Sequence, residues 1–268
     1  MGKSLKRGLE FMLIALDIGN SHVRIGIAYG DEIQFVASIA TDERLTKEQY
    51  ACQIRDVLQL YNVQISQIKG AVLCSVVPAV TTTVQQAIKL LTGIMPLNVA
   101  SGLKTGLEIK MDNPRSLGSD IVANAVYAHK IKNFPCVIID MGTVTTFTVL
   151  DKNGTLIGTA IASGVKSSID TLRHVGAQLP AIRMEAPKKG VLGRNTVDAM
   201  KSGTIFGAAA MIDGMIDSIS HELGEKPYVL LCGGTGEFLA PFITRDVVCD
   251  ANVTIKGLIA IWHKNQKG

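Results

Sequence analysis

LIALDIGNS at residues 13–21 decides the fold, because the same pattern returns as VIIDMGTVTT at residues 137–146. In both stretches an apolar run, typical of a buried strand, ends in an aspartate followed by a glycine turn. A second β-like run follows directly, at 23–29 and at 146–150. Each half of the chain is therefore predicted to open with strand, Asp-Gly turn and strand. Two facing hairpins of this kind can grip a nucleotide phosphate chain.

After these hairpins, both halves continue with a third strand and then alternate strands with helices. The predicted elements of the first half are strands 12–18, 22–29, 32–40, 71–77 and 97–99, helices 46–61 and 79–92, and a loop at 102–118. A helix at 119–131 connects the halves. The second half has strands 136–141, 145–151, 155–161, 228–232 and one near 247–248, helices 165–176, 195–221 and 253–264, and a short helix after residue 236. This order predicts an α/β protein with two duplicated domains, 12–118 and 119–268, around a central cleft. Residues 1–11 are expected to be an N-terminal extension.

The composition favours a well-packed protein that works on small molecules. Apolar residues make up 47% of the 268 residues and charged residues 19%, which argues against disorder. The net charge of +4 is spread along the chain, so no nucleic acid partner is expected. No apolar run approaches the ~20 residues that span a bilayer, so no membrane partner is expected. Five cysteines without a C-x-x-C pair are typical of reduced, mostly buried thiols and a cytoplasmic protein.

The first Asp-Gly turn is a candidate phosphate site. Gly19 lets the backbone turn tightly, and the amides of such a turn bind anions. Asn20, Ser21 and Arg24 can add donors to phosphate oxygens, and Asp17 at the strand end can hold Mg²⁺ directly or through water. The alternative is an ordinary hairpin in which these residues only form the turn.

The second turn and a glycine-rich loop are candidates for the same ligand. Asp140 is followed by Gly142 and by three threonines at 143, 145 and 146, whose hydroxyls are costly to bury without partners. Gly233 and Gly234 follow a buried strand, where open α/β sheets bind ligands, and they suggest an adenosine pocket. The alternatives are a threonine-rich strand and a glycine-rich loop without a ligand.

Asp120 is the candidate general base. Pro114 and Gly118 stiffen the preceding loop and Ser119 is a plausible N-cap, which places Asp120 in the first helical turn. There the helix dipole favours the ionised carboxylate by ~0.3–1 kcal/mol, and an ionised carboxylate in a cleft can accept the proton of an attacking hydroxyl. The alternative is that Asp120 only stabilises the helix start. For the helix at 195–221, the pattern leaves open whether Asn195 or Thr196 is the cap or faces a substrate.

Seven short motifs in fixed order resemble the type III pantothenate kinases, a family of the acetate and sugar kinase, Hsp70 and actin superfamily that includes Bvg accessory factor-like proteins. They are LDIGNS (16–21), CSVVP (74–78), KTGL (104–107), D-N-P-x-x-x-G-x-D (112–120), DMGTVTTF (140–147), GRNT (193–196) and CGGTG (232–236). The resemblance implies actin-like (ribonuclease H-like) domains and a transferase that phosphorylates pantothenate with ATP, the first step of coenzyme A biosynthesis. It also implies Mg²⁺, a monovalent cation (K⁺ or NH₄⁺) and a homodimer with active sites near the interface.

The resemblance assigns roles residue by residue. Asp17 to Arg24 would be the first ATP phosphate segment, Asp120 the general base, Asp140 the potassium ligand and Thr143 an ATP contact. The pantothenate site would be lined by Met111, Gly118, Ser119, Ile121 and Thr196.

Three departures from the family pattern concern the acceptor. The family usually has Tyr where this chain has Met111, Arg where it has Ile121, and Pro where it has Ser163. Arg is the natural bidentate partner of a carboxylate, and losing such a pair typically costs ~1.5–3 kcal/mol. ATP chemistry is thus expected to survive better than pantothenate affinity. A regulatory protein without turnover, and a kinase for an acceptor that lacks the carboxylate, remain as alternatives.

Overall fold

The computed structural model describes residues 11–100, 102–176, 178–188 and 190–266. The predicted extension at 1–11 falls almost wholly outside them. Seventeen main elements are present among the described residues: β1 Met12–Ile18, β2 His22–Tyr29, β3 Glu32–Ala40, α1 Lys47–Leu60, β4 Ile68–Ser75, α2 Pro78–Thr92, β5 Leu97–Asn98, α3 Ser119–Ile131, β6 Cys136–Met141, β7 Val144–Leu150, β8 Leu156–Ser163, α4 Val165–Val175, α5 Thr196–Leu223, β9 Tyr228–Cys232, α6 Gly236–Leu239, β10 Val248–Cys249 and α7 Val253–Gln266.

The duplication seen in the sequence is present in the strand topology. The first sheet has the order β3-β2-β1-β4-β5, and the second has the matching order β8-β7-β6-β9-β10. In both, the first three strands of the half are antiparallel and the last two join in parallel. The predicted α/β class with two duplicated domains is confirmed.

The chain forms two compact units. The first comprises Met1–Gly106, Arg115–Tyr127 and Val253–Gly268, and the second comprises Leu107–Pro114 and Ala128–Asn252. This division differs from the split at residue 118 in three places. Leu107–Pro114 joins the second unit, Arg115–Tyr127 with most of α3 joins the first, and the closing helix α7 also joins the first. For α7 the reason is packing: a Cβ on Gly26 or Gly70 would collide with Ile255 or Trp262 of α7, so these glycines let α7 lie close against the first sheet.

In the first unit, helices α1 and α2 cover one face of the sheet around a continuous apolar core. Helix α1 is capped by Thr46, whose side chain accepts from Gln49 N in a capping box. Tyr50 is fully buried, whereas Tyr61 is 49% exposed and stacks on Phe35.

In the second unit, helices α4 and α5 pack on one face of the sheet formed by β6, β7 and β9. The segment predicted as loop contributes to this unit. Ile109 forms a parallel bridge with Leu156, and Lys110 N donates to Leu156 O at 2.8 Å. No helix in the described part of the chain is both long enough and apolar enough to cross a membrane.

The five cysteines are all reduced thiols. Cys74, Cys136 and Cys232 are buried in strands, and Cys52 and Cys249 are exposed. Burial raises the pKa of Cys136 to about 12.

Candidate active site

The first Asp-Gly turn joins β1 to β2. The antiparallel register pairs Asp17 with Arg24, so the carboxylate and the guanidinium belong to opposite strands of one hairpin. The Gly19 amide donates back into the turn, and the side chains of Asn20 and Ser21 at its tip are exposed. The five phosphate-segment candidates therefore occupy one hairpin end.

Thr41 holds this turn and was missed by the sequence analysis. Its hydroxyl donates to Gly19 O at 2.7 Å, and its N–H donates to Ser21 O at 3.1 Å. Thr41 follows β3, so its contact with a turn some twenty residues earlier has no local signal in the sequence.

Asp120 lies in the first turn of α3 and is half-buried. Its Oδ1 accepts a hydrogen bond from Ile121 N at 2.9 Å. Burial raises the pKa of Asp120 above its ordinary value, against the smaller lowering effect of backbone hydrogen bonds. The helix dipole was expected to favour the charged form, and desolvation outweighs it. A raised pKa makes this carboxylate a better proton acceptor once it is ionised.

Ser119 is not the N-cap of α3, contrary to the prediction. Val122 N donates to Gly118 O at 3.1 Å, so the helical hydrogen bonds begin at Gly118. The Ser119 hydroxyl instead accepts from Ser75 N and donates to Ser75 O, both at 3.0 Å. The absence of a side chain at Gly118 leaves the room that the Asp120 carboxylate occupies, because a Cβ there would collide with Oδ1.

The second Asp-Gly turn joins β6 to β7. Asp140 is half-buried and pairs with Thr146, as Asp17 pairs with Arg24 in the first unit. Gly142 N donates to Val144 O at 3.0 Å and closes the turn. Thr143 is exposed at the tip, where its side chain can reach a ligand.

The start of α4 fixes this turn from one side. Gly164 N donates to Thr143 O at 3.2 Å, and the Ser167 hydroxyl donates to the same oxygen at 2.7 Å. A Cβ on Gly164 would lie 2.5 Å from Thr143 O, so only glycine allows the approach. Thr145 is fully buried and its hydroxyl donates to Ser163 O at 3.5 Å, which gives it a structural partner.

The glycine-rich loop after β9 fixes the turn from the other side. Gly233 has a φ of +86°, and a Cβ there would lie 2.5 Å from Asp140 Oδ1 and collide with Met141 N. Thr235 donates its hydroxyl and its N–H to Met141 O, at 3.0 and 3.2 Å. Gly234 has open space at its Cβ position. The second unit thus brings Asp140, the threonine turn and the glycine loop to one sheet edge.

The acceptor-site candidates are divided between the units. Gly118, Ser119 and Ile121 belong to the first unit, and Ile121 is only 6% exposed. Met111 and Thr196 belong to the second. The sequence left open whether Asn195 or Thr196 caps α5. Asn195 is the cap, because its side chain accepts from Asp198 N at 2.9 Å. The Thr196 side chain is exposed and is not the cap.

The donor chemistry fits a divalent ion shared with phosphates. Within the described ranges, no group of three or more His, Cys, Asp or Glu side chains forms a metal cage. Mg²⁺ in phosphoryl-transfer sites is usually held by one or two carboxylates plus substrate oxygens, which needs no cage. The half-buried Asp17, beside a turn amide, matches that requirement.

A family model for type III pantothenate kinase matches residues 13–218. The chain belongs to the type III pantothenate kinase family. A type III pantothenate kinase from Dehalococcoides mccartyi is 35% identical over 261 residues, which cover 97% of this chain and 99% of the relative.

Solved structures agree on the fold. A conserved Baf family protein from Campylobacter jejuni matches with a TM-score of 0.59 and 17% identity, covering 95% of this chain and all of that one. A ROK hexokinase from Thermus thermophilus matches with a TM-score of 0.54 and 11% identity, covering 96% and 99%. At these identities the likeness concerns the fold alone, which is that of actin-like ATPases and sugar kinases.

Proposed function

We propose that this chain transfers the γ-phosphoryl group of ATP to the terminal hydroxyl of pantothenate, forming 4'-phosphopantothenate and ADP as the first step of coenzyme A biosynthesis. The observation that carries the proposal is Asp120, a half-buried carboxylate of raised pKa at the start of α3. In a member of this family, such a group is suited to activate an alcohol.

The residues divide the work as follows. Asp120 accepts the proton of the hydroxyl, whose oxygen forms a bond to the γ-phosphorus while the bond to the β–γ bridging oxygen breaks. The amides of the Gly19 turn, and those of the Gly142 turn with the Thr143 hydroxyl, would donate to phosphate oxygens. The adenosine would lie against the backbone of Gly233 and Gly234, where the Cβ position of Gly234 is open. Positioning and charge stabilisation are the main demands of phosphoryl transfer.

We assign the cations by the same chemistry. Asp17, close to the turn amides, would hold Mg²⁺, and Asp140 would hold K⁺ or NH₄⁺. When bound, these ions supply positive charge to the phosphates. Replacing K⁺ by Na⁺ in the assay tests the second assignment, and turnover that is equal in both salts contradicts it.

A coupled ADP-release assay with pantothenate, Mg²⁺ and K⁺ tests the function. We expect pantothenate-dependent ADP release, with a raised KM for pantothenate because Ile121 stands where the family has Arg. A parallel assay with pantetheine, which lacks the carboxylate, identifies the alternative acceptor class. No ADP release above background with either compound contradicts the proposal and favours the regulatory alternative.

The homodimer is proposed from a groove in the second unit. Helices α4 and α5 line a cavity of about 820 Å³, to which Thr196 contributes. Gly203 and Gly207, one helical turn apart, are exposed in this groove, and a Cβ at either would meet nothing within 4 Å. A second copy of the chain is the proposed occupant, since the acceptor-site candidate Thr196 would then lie at the interface, as the family leads us to expect. We also propose a cytoplasmic location, in keeping with the five free cysteines.

Gly207→Glu is expected to convert the dimer to a monomer, measured by light scattering after size exclusion. The glutamate places a charge in the groove, while the change from Gly to a better helix former favours α5 by up to about 1 kcal/mol. Leu90→Glu, at a position of α2 that is 58% exposed, is the control and should leave the mass unchanged. A dimeric Gly207→Glu protein would exclude this interface.

A further inference from the structure

The CSVVP segment, residues 74–78, forms the end of β4 and the start of α2, and the proposed function gives it no task. Strand β4 lies beside β1 in parallel register, which places Cys74 opposite Asp17 and Ser75 opposite Ile18. Val76 N donates to Ile18 O at 3.0 Å and extends this pairing to the strand end.

Cys74 contacts the first carboxylate. Its thiol lies 3.4 Å from Asp17 Oδ1 and donates to it, and Cys74 itself is fully buried. A thiol donor to one carboxylate oxygen restricts the side-chain rotamer of Asp17.

Ser75 anchors the second carboxylate through its backbone. The Ser119 hydroxyl bridges Ser75 N and Ser75 O, at 3.0 Å each, and Asp120 is the next residue. The Ser75 hydroxyl is itself held, because it accepts from Thr81 Oγ1 at 2.7 Å and from Val77 N at 3.1 Å. The first residue of α3 is therefore tied to a rigid strand end rather than to a loop.

We propose that the end of β4 positions both carboxylates of the reaction, with Cys74 orienting Asp17 and Ser119, bound to the Ser75 backbone, fixing Asp120. This inference rests on the proposed function for the roles of the two aspartates. It gives Cys74 and Ser119 the status of positioning residues, and it assigns to Ser119 a different task from lining the pantothenate site. A displacement of reacting groups by about 1 Å can cost 10²-fold in rate, which is why such a tie matters.

Steady-state kinetics of Ser119→Ala test whether Ser119 fixes the position of Asp120. We expect kcat to fall at least tenfold, with KM for ATP and for pantothenate within about threefold of wild type. A substrate-lining role would raise KM for pantothenate instead. Thr92→Ala is the matched control, because the Thr92 hydroxyl also makes one donated and one accepted backbone bond, to Ile88 O and from Ile94 N. Thr92 is the last residue of α2, about 20 Å along the helix axis from Pro78 at its start. The control should lose thermal stability and keep kcat.

The affinity for Mg²⁺ with a non-hydrolysable ATP analogue, measured by calorimetry, tests whether Cys74 orients Asp17. Cys74→Ala should weaken binding about five- to tenfold, and Cys74→Ser, which restores a donor, should recover most of the loss. Equal affinity in wild type and Cys74→Ala would show that Cys74 does not orient Asp17. Equal kcat in Ser119→Ala and Thr92→Ala would show that Ser119 does not fix Asp120.

These readouts separate the inference from the proposed function. A wild-type protein that releases no ADP contradicts the function, whereas analogue binding still decides the role of Cys74. For Ser119, amide hydrogen exchange at Ile121 and Val122 then decides. Exchange should be faster in Ser119→Ala, and unchanged exchange would show that Ser119 does not fix the start of α3.

Discussion

Asp120→Asn is expected to lower kcat by about 10³-fold and to leave the affinity for an ATP analogue within about twofold of wild type. General base catalysis contributes typically 10²–10⁴-fold, and asparagine keeps the size of the side chain and an oxygen that can accept from Ile121 N. Initial rates of ADP release and calorimetry give the two quantities.

The same variant is expected to be more stable than wild type above the pKa of Asp120. Burial raises the pKa of this carboxyl in the folded state, so the folded protein binds its proton more tightly than the unfolded chain. The stability that protonated Asp120 contributes to the folded state is then fully present at low pH. It is lost as the pH rises through the folded-state pKa of Asp120. Asparagine removes this loss. The melting temperature of the variant should exceed that of wild type at pH 8, and the difference should shrink as the pH is lowered.

Asp56→Asn is the control for the rate measurement, because Asp56 is an exposed carboxylate on α1 of the same unit. It should leave kcat unchanged. An Asp120→Asn protein with the wild-type rate would show that the proton goes elsewhere. An Asp120→Asn protein that is inactive but no more stable than wild type at pH 8 would show that burial does not destabilise the ionised carboxylate.

Local patterns in the sequence predicted most of the fold. Continuous apolar runs predicted the buried strands β1, β4 and β6, because strands covered on both faces need no alternation. Glycine after aspartate predicted both hairpin ends, and their repetition predicted two duplicated domains, which the matching strand order of the two sheets confirms. These features depend on neighbouring residues, which is the range that a single sequence reveals.

The parts that sequence reasoning missed are contacts between distant segments. Thr41, Ser167 and Thr235 each donate a hydroxyl to a backbone oxygen of an Asp-Gly hairpin that belongs to another segment. A serine or threonine hydroxyl has many possible partners, and its sequence neighbours do not select one. Ser119 shows the consequence: its position favours a helix cap, yet its hydroxyl binds Ser75 instead. The roles of the site residues in catalysis remain predictions.

Gly233→Ala is expected to lower the free energy of unfolding by about 2–4 kcal/mol and to weaken ATP binding at least tenfold. A φ of +86° costs a residue with a Cβ about 1–3 kcal/mol, and overpacking adds a similar amount. The new methyl group would press on Met141 N and on the Asp140 carboxylate, so the turn that holds the phosphates must move. Chemical denaturation and calorimetry with an ATP analogue measure the two effects.

Two further glycines separate the effect on the fold from the effect on the ligand. Gly158 and Gly234 both have open space at the Cβ position. Gly158→Ala, in β8, should change neither stability nor ATP affinity. Gly234→Ala should keep the stability, so any loss of affinity there comes from contact with the nucleotide itself. If Gly233→Ala bound ATP with wild-type affinity, the glycine loop after β9 would not form part of the nucleotide site. The sheet edge at Asp140 would then bind some other ligand.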